Sequence, residues 1–237
     1  MIQNVDRPSG KIYVIGDIHG CVDELRVLLG ALNFSLDDYI IFIGDYIDRG
    51  PRSREVVEEV IELGKLYKVF PLKGNHEDMI VNFLGYRGRF GGSWLKNGGE
   101  ETLRSYGITD SFDPDRVLSS LPESHLKFYR DLIPGLTIDK WLFVHAGIDP
   151  LKDLKSQRAK DLFWIRENFI NNIHKLDYTV VFGHTPYQDV FIQKPYKIGI
   201  DTGLVYGNKL TCIELTENKV FQVALGNKSV VEKNYDP

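Results

Sequence analysis

The chain has 237 residues, of which 43% are hydrophobic and 26% are charged. This is the composition of an ordinary globular protein with enough apolar material for a core, and the length predicts one large domain spanning 1–237. The formal net charge of −4 argues against a broad basic surface for nucleic acid. An anionic substrate would therefore have to be attracted by local charge.

The sequence contains no evident signal for a membrane or an oxidising compartment. Residues 1–10 lack an apolar segment behind basic residues, so they do not resemble a signal peptide. No apolar run approaches the roughly 18 residues that a membrane span requires. Cys21 and Cys212 are far apart and lack metal-binding spacing. We therefore expect a cytoplasmic protein without a membrane partner.

Short β-rich runs alternate with helical patterns in the first third of the chain. Strands are predicted at 12–15, 39–43 and 67–72, and helices at 22–32, 54–63 and 77–84. That order is typical of parallel strands joined by right-handed crossovers. Each strand ends in a turn that contains a glycine, namely Gly16, Gly44 or Gly74. In such sheets the residues after these turns meet in the ligand crevice.

The middle and the end of the chain follow different patterns. Glycine pairs punctuate 85–132, which predicts a small helical insertion beside the crevice, with helices at 100–106 and 123–132. A hairpin is predicted at 136–144. Further strands are predicted at 178–182, 197–200, 209–215 and 220–223, followed by a loose tail at about 226–237.

Five turns at or just after predicted strands carry side chains that can bind metal ions, and they contain four of the six histidines. Asp17 and His19 are two residues apart on an extended turn, so both can point at one ion. The two oxygens of Asp45 can each bind a different ion. An amide and two imidazoles supply the remaining ligands, from Asn75, His145 and His184. Oxygen and nitrogen ligands without thiolate favour manganese, iron or zinc.

Each of these residues also has a simpler interpretation. An isolated Gly-Asp pair is usually a turn or a helix cap, which would account for Asp17 or Asp45 alone. His145 and His184 would then be buried structural histidines, and Asn75 a left-handed turn residue. The joint occurrence of all five turns favours a pair of metal ions, which would lower the pKa of a bridging water and clamp the oxygens of an in-line displacement.

The five segments GDIHG, GDYIDRG, GNHE, VHAG and FGHTP resemble the signature blocks of the phosphoprotein phosphatase family of metallophosphoesterases. They are most similar to those of compact bacterial and phage serine/threonine phosphatases, and the resemblance extends from residue 11 to about residue 203. It implies an α/β fold in which two mixed β-sheets face each other, with helices outside and the metals at one edge.

The resemblance also implies a role for each site residue. The first ion would be held by Asp17, His19 and Asp45, and the second by Asp45, Asn75, His145 and His184. His76 would be the general acid for the leaving alkoxide, with Asp48 orienting its ring.

The phosphate would be bound by Arg49, Asn75 and, in a looser match over 162–167, Arg166. Asp48 and Arg49 could instead form a surface ion pair, and Arg166 could lie at a solvated helix start. His125 and His174, which belong to no block, are expected on the surface. Trp94, Tyr106 and Tyr129 are expected either in a substrate groove or in the core.

The function expected from this pattern is a serine/threonine protein phosphatase that also accepts phosphotyrosine. A hydroxide bridging two divalent ions, expected to be Mn²⁺, would attack a phosphoprotein or phosphopeptide directly, without a phosphoenzyme. Two alternatives remain: a symmetrical bis(5'-nucleosyl)-tetraphosphatase, and a phosphopartner-binding module without turnover. Asp48 favours monoesters because the tetraphosphatase subfamily usually replaces it, and an intact His76 argues against a pure binder. Regulatory subunits are not implied.

Overall fold

The computed structural model describes residues 2–110 and 112–236, which form two six-stranded mixed sheets. The first sheet contains β1 (Gln3–Asn4), β5 (Leu136–Ile138), β6 (Trp141–Phe143), β7 (Thr179–Phe182), β9 (Lys197–Gly199) and β8 (Phe191–Gln193), in that spatial order. The second contains β12 (Val231–Asn234), β11 (Lys219–Ala224), β10 (Lys209–Glu214), β2 (Ile12–Ile15), β3 (Tyr39–Phe42) and β4 (Lys68–Pro71), also in spatial order. The α/β class with two mixed sheets is thus confirmed.

Helices flank both sheets. Those that follow the strands of the second sheet are α1 (Val22–Ala31), α2 (Ser53–Leu66) and α3 (Asn75–Phe83). Within the predicted insertion lie α4 (Gly99–Ser105), α5 (Pro114–Ser120) and α6 (Glu123–Asp131), and beside the first sheet lie α7 (Ala159–Trp164) and α8 (Glu167–Ile170). Among the described residues, every helix is too short or too polar to cross a bilayer.

The alternation of side chains along β2 shows how the layers are held together. Ile12 and Val14 point into the space between the sheets, where they join a buried apolar cluster that includes Phe143. Tyr13 and Ile15 point the other way, into the cluster beneath α1 and α2. Successive strand residues face opposite sides, so a strand that is apolar throughout is covered on both faces.

The predicted parallel pairing is confirmed, and it positions the site. β2 pairs in parallel with β3, and β3 with β4. In the other sheet β6, β7 and β9 are also parallel. The carboxyl ends of both sets meet, since the backbone carbonyl of Ile43, just after β3, lies 2.8 Å from the imidazole of His145, just after β6.

Three expectations from the sequence were wrong in part or in full. The tail is not loose throughout, because β12 pairs antiparallel with β11, although its side chains are exposed. His125 is buried and lies 2.7 Å from both the Tyr106 hydroxyl and the Glu58 carboxylate. His174 is also buried, with its ring 3.0 Å from the carbonyl of Tyr196. Both histidines are polar links inside packed regions and not surface residues.

Lys197 provides a test of this packing away from the metal-binding turns. Its ammonium is fully buried and donates hydrogen bonds to the carbonyls of Phe169, Ile170 and Asn172. We predict that Lys197→Met lowers the free energy of unfolding by about 2–4 kcal/mol, because it leaves buried carbonyls unsatisfied. Urea denaturation should show almost no change for Lys175→Met, at an exposed position. Equal stability of the two variants would contradict this role.

Candidate metal centre

The turns that follow the central strands bend back sharply. Five non-glycine residues of these turns have positive φ: His19 (47°), Asp45 (55°), Asp48 (73°), Arg49 (68°) and His184 (64°). Residues other than glycine rarely adopt this left-handed backbone conformation. Strained backbone of this kind clusters at functional sites. The bends turn the side chains of separate loops toward one point.

Two glycines provide the space into which the carboxylates fit. A Cβ atom on Gly183 would lie 2.1 Å from Oδ1 of Asp17, and one on Gly74 would lie 2.1 Å from Oδ1 of Asp45. Any side chain at either position would displace a carboxylate. The glycines of the GNHE and FGHTP segments are therefore required by the close approach of these carboxylates.

Asp45 lies at the centre of the cluster and is only 2% exposed. Its Oδ2 is 3.4 Å from Nε2 of His19, and its Oδ1 is 3.4 Å from Nε2 of His145. The two oxygens therefore face two different sets of ligands. His19, Asp45 and His76 form one group whose ligand atoms lie within 4.8 Å of one another, and Asp45, His145 and His184 form a second. Asp45 could therefore offer one oxygen to each of two ions.

The ring nitrogens of two histidines are oriented by backbone carbonyls. Nδ1 of His19 donates to the carbonyl of Ile47, and Nδ1 of His145 donates to that of Ile43, each at 2.8 Å. Burial lowers the pKa of His19 to about 3 and also lowers the pKa of His145. In these neutral rings Nε2 carries a lone pair that points into the cluster, which is the orientation of a metal ligand.

The contacts of His145 and His184 provide a test of whether a cation fits here. Nε2 of His145 lies 3.0 Å from the side-chain oxygen of Asn75, so two acceptors face each other. Nε2 of His184 is buried without a hydrogen-bond partner. Buried polar atoms are rarely left unsatisfied, and a divalent ion would satisfy all three. The residues therefore fit a metal ion at this position.

The carboxylates lead to the same conclusion on electrostatic grounds. Burial, together with the carboxylates of Asp201 and Asp45, holds the pKa of Asp17 well above its usual range. The backbone N–H of His184 donates to Asp17 at 3.1 Å, which fixes the carboxylate beside the second group of ligands. Several buried acids in one place repel one another unless a cation lies between them.

His76 and Asp48 form a buried pair at the edge of the cluster. Nδ1 of His76 lies 2.5 Å from Oδ2 of Asp48, and both side chains are almost fully buried. Burial opposes protonation of His76, but the carboxylates of Asp45 and Asp48 outweigh that effect and raise its pKa. The ring is thus more basic than an ordinary histidine and is held in one orientation, as a proton donor requires.

Two residues of the predicted insertion hold Asp48, and the sequence did not reveal them as site residues. The indole N–H of Trp94 donates to Oδ2 of Asp48 at 2.9 Å, and the hydroxyl of Thr102 donates to Oδ1 at 2.6 Å. Trp94 is therefore part of the core and a support of the site at once. These contacts join positions about 50 residues apart, so no local spacing signals them.

Glu77 was also missed, although it lies within the GNHE segment. Its buried carboxylate accepts hydrogen bonds from the backbone N–H groups of Asp45, Tyr46 and Gly74, at 2.9–3.0 Å. Burial and the neighbouring Asp45 raise its pKa to about 8. Glu77 connects the loop after β3 to the start of α3, and its position three residues after the N-cap residue Gly74 is the signal that identifies it.

The two predicted arginines approach the cluster from different sides. Nη1 of Arg49 lies 2.6 Å from Nε2 of His19, and its guanidinium lies 5.5 Å from the ring centroid of Tyr206. The side chain of Tyr206 is 63% exposed. Arg166 is exposed and, after burial and His145, is a further cause of the lowered pKa of His184. Both guanidinium groups therefore lie near the cluster of ligands.

The predicted site residues lie at one edge of the two sheets, but Asp17 lies outside both groups of ligand atoms, and His76 stands beside His19 and Asp45 in its place. A central carboxylate between oriented imidazoles, a buried His–Asp pair and nearby arginines are the features of a metal-dependent phosphoesterase. The chain belongs to the calcineurin-like phosphoesterase family, whose model matches residues 10–220.

Three known proteins show the range of relatives. The asymmetrical bis(5'-nucleosyl)-tetraphosphatase PrpE of Oceanobacillus iheyensis is 28% identical, with the alignment covering 95% of this chain and 97% of that protein. A proposed diadenosine tetraphosphatase of known structure has a TM-score of 0.71 at 22% identity, covering 96% and 100% of the two chains. A Saccharomyces cerevisiae serine/threonine phosphatase has a TM-score of 0.63 at 17% identity, covering 100% and 84%.

Removal of one ligand should change the number of ions bound. We predict that wild-type protein binds two Mn²⁺ ions per chain in equilibrium dialysis, and that His184→Ala weakens one of them roughly 100-fold or more because a ligand is lost. His174→Gln, which alters a histidine outside the cluster, should bind as wild type. Saturation of the wild type at one ion, or unchanged binding by His184→Ala, would exclude the proposed pair.

Proposed function

We propose that the chain hydrolyses dinucleoside tetraphosphates asymmetrically, to a nucleoside triphosphate and a nucleoside monophosphate. The observation that carries this proposal is similarity over nearly the whole chain to relatives named for that reaction, such as the protein of Oceanobacillus iheyensis. Relatives from Anoxybacillus flavithermus and Bacillus cereus carry the same name. A nucleotide substrate of this kind replaces the phosphoprotein that the sequence favoured, and asymmetrical cleavage replaces the symmetrical alternative.

The metal ligands divide around Asp45. Asp17, His19 and Asp45 would hold one divalent ion, and Asp45, Asn75, His145 and His184 would hold the other, with Mn²⁺ the ion we propose. When bound, the ions supply activation of water and neutralisation of the phosphoryl oxygens. The side chains of the protein have to hold the phosphate in one orientation and supply the proton of the leaving group.

The arginines and Tyr206 account for binding of a nucleotide. The guanidinium groups of Arg49 and Arg166 suit phosphoryl oxygens, because a planar fork of donors matches two oxygens at once. The amide of Asn75 lies beside His145 and is available to the same phosphate. The exposed Tyr206 ring beside Arg49 offers a flat surface on which a nucleobase can stack. A polyphosphate on the arginines would place its nucleoside near this ring.

Phosphomonoester hydrolysis remains the second candidate, and the His76–Asp48 pair favours it. A serine or threonine alkoxide is a poor leaving group unless it is protonated, whereas a nucleotide phosphate leaves readily as an anion. A buried, basic imidazole held 2.5 Å from Asp48 is what the alkoxide requires. The same pair would protonate the departing nucleotide only weakly in the tetraphosphate reaction.

Product analysis distinguishes these reactions. We predict that the Mn²⁺-loaded protein converts diadenosine tetraphosphate to ATP and AMP, separable by anion-exchange chromatography, because asymmetrical cleavage divides four phosphates three to one. Its kcat/KM for this substrate should exceed that for a phosphoserine peptide. Formation of ADP alone would establish the symmetrical reaction, and preference for the peptide would restore the protein phosphatase assignment. Absence of turnover of either substrate, and of para-nitrophenyl phosphate, would leave a binding module.

The dependence on the leaving group tests His76 and Asp48 separately. We predict that Asp48→Asn lowers hydrolysis of a phosphoserine peptide roughly 10²–10³-fold, because His76 loses the carboxylate that makes it a proton donor. Hydrolysis of para-nitrophenyl phosphate and diadenosine tetraphosphate, whose leaving groups need little protonation, should fall far less. Asp23→Asn, at an exposed carboxylate, is the control. A uniform loss for all three substrates would indicate that Asp48 only supports the fold.

A further inference from the structure

A cavity lies outside the metal centre. Its volume is about 970 Å³, and it opens between α3, α7, the 3-10 turn at Leu154–Ser156, the edge strand β1 and its neighbour β5. Its lining contains none of the six proposed metal ligands. A cavity of this size falls in the range that holds small organic ligands.

Positive charge dominates the rim of this cavity. Four cationic side chains line it, those of Lys73, Arg87, Arg89 and Lys155, against the single carboxylate of Asp78. None of the four has an ion-pair partner within 4 Å among the described residues, and Asp78 accepts a hydrogen bond from the indole of Trp164 at 3.0 Å. In a chain with a net charge of −4, such local excess of cations is suited to an anion with several charges.

The uncharged part of the lining is mostly apolar, although Asn4, Thr137 and Gln157 also contribute to it. Tyr178, Pro134 and Ile2 are partly exposed there, whereas Leu162 and Phe163 of α7 are only 4% and 3% exposed and offer little surface. An inorganic anion would gain no binding free energy from such an apolar surface, whereas a planar base would bury its faces against it. The combination of an apolar wall and a cationic rim therefore matches a nucleotide, in which a base and charged phosphates are joined through a sugar.

The cavity and the metal centre share two segments of the chain. Lys73 and Asp78 lie on either side of Asn75 and His76 at the start of α3. Trp164, which contacts Asp78, is two residues before Arg166. The exposed ring of Phe90 packs edge-to-face on Trp164, with centroids 4.7 Å apart. A ligand in the cavity would therefore contact the same helix and segment that carry catalytic-site residues.

We infer that this cavity binds a nucleotide, with its phosphates on Arg87, Arg89 and Lys155 and its base against Tyr178 and Pro134. Two sources of that nucleotide are compatible with the chemistry. It is either the remote half of a dinucleoside polyphosphate, in which case the inference rests on the proposed function, or a separate nucleotide. Both sources use the same cationic rim, and kinetics distinguishes them.

Direct binding tests the site without turnover. Titration of chelator-treated protein with a fluorescent N-methylanthraniloyl derivative of ADP should show saturable binding, which Arg87→Ala/Arg89→Ala weakens roughly tenfold or more through loss of charge-assisted bonds. Arg26→Ala/Arg116→Ala, at exposed arginines outside the lining, should bind as wild type. Lys155→Glu provides a second variant at an exposed position, and thermal melting confirms folding. Equal affinity of wild type and both cavity variants would overturn the inference.

Kinetics then identifies the source. All cavity variants should hydrolyse para-nitrophenyl phosphate as wild type does, because that substrate does not reach the rim. A higher KM for diadenosine tetraphosphate at unchanged kcat would identify the remote half of the substrate, and an unchanged KM together with lost nucleotide binding would identify a separate ligand. If the protein does not cleave diadenosine tetraphosphate, the proposed function fails, yet the binding titration still decides whether the cavity holds a nucleotide.

Discussion

The buried carboxylate of Asp45 is the constraint around which the structure is arranged. A charge that is 2% exposed is costly unless it is matched, and its two oxygens face imidazoles from opposite sheets. Neutral histidines compensate the negative charge of Asp45 only in part. Burial of these ligands therefore becomes favourable when divalent ions lie between them. Metal binding and the stability of these turns are thus coupled.

The convergence of these turns strains their backbone, and hydrogen bonds to the same backbone offset the cost. Left-handed residues such as Asp45 and Asp48 are individually unfavourable, at about 1–2 kcal/mol for an ordinary side chain. Glu77 offsets the strain by accepting from several backbone N–H groups of the same loop. Thr102 and Ser53 do so around Asp48, since both side-chain oxygens accept from its backbone N–H. The site is thus rigid before any substrate arrives, which is what a geometry-dependent displacement requires.

The sequence predicted the parts of this arrangement that have a local signal. Apolar runs that end in Gly-Asp or Gly-His turns predicted the parallel strands and the meeting of the proposed ligands, because the carboxyl ends of parallel strands share one edge. The sequence did not predict the roles of Trp94, Thr102 and the buried His125. Their roles arise from contacts across 46, 54 and 67 residues, which a folded chain alone creates. β12 was missed because its residues are exposed and polar, so it lacks the alternation of a half-buried strand.

The same reasoning explains why the substrate was harder to predict than the chemistry. By resemblance, Asp48 favours monoesters, but Asp48 also accepts hydrogen bonds from Trp94 and Thr102, so it has a structural role that is independent of the leaving group. Bound metal ions would activate water against any phosphate, so their ligands carry no information about the group attached to that phosphate. Discrimination among phosphate substrates must come from residues that contact the rest of the molecule. Near this centre, the exposed ring of Tyr206 is a candidate for such a contact, and it lies outside the five segments that resemble the family blocks.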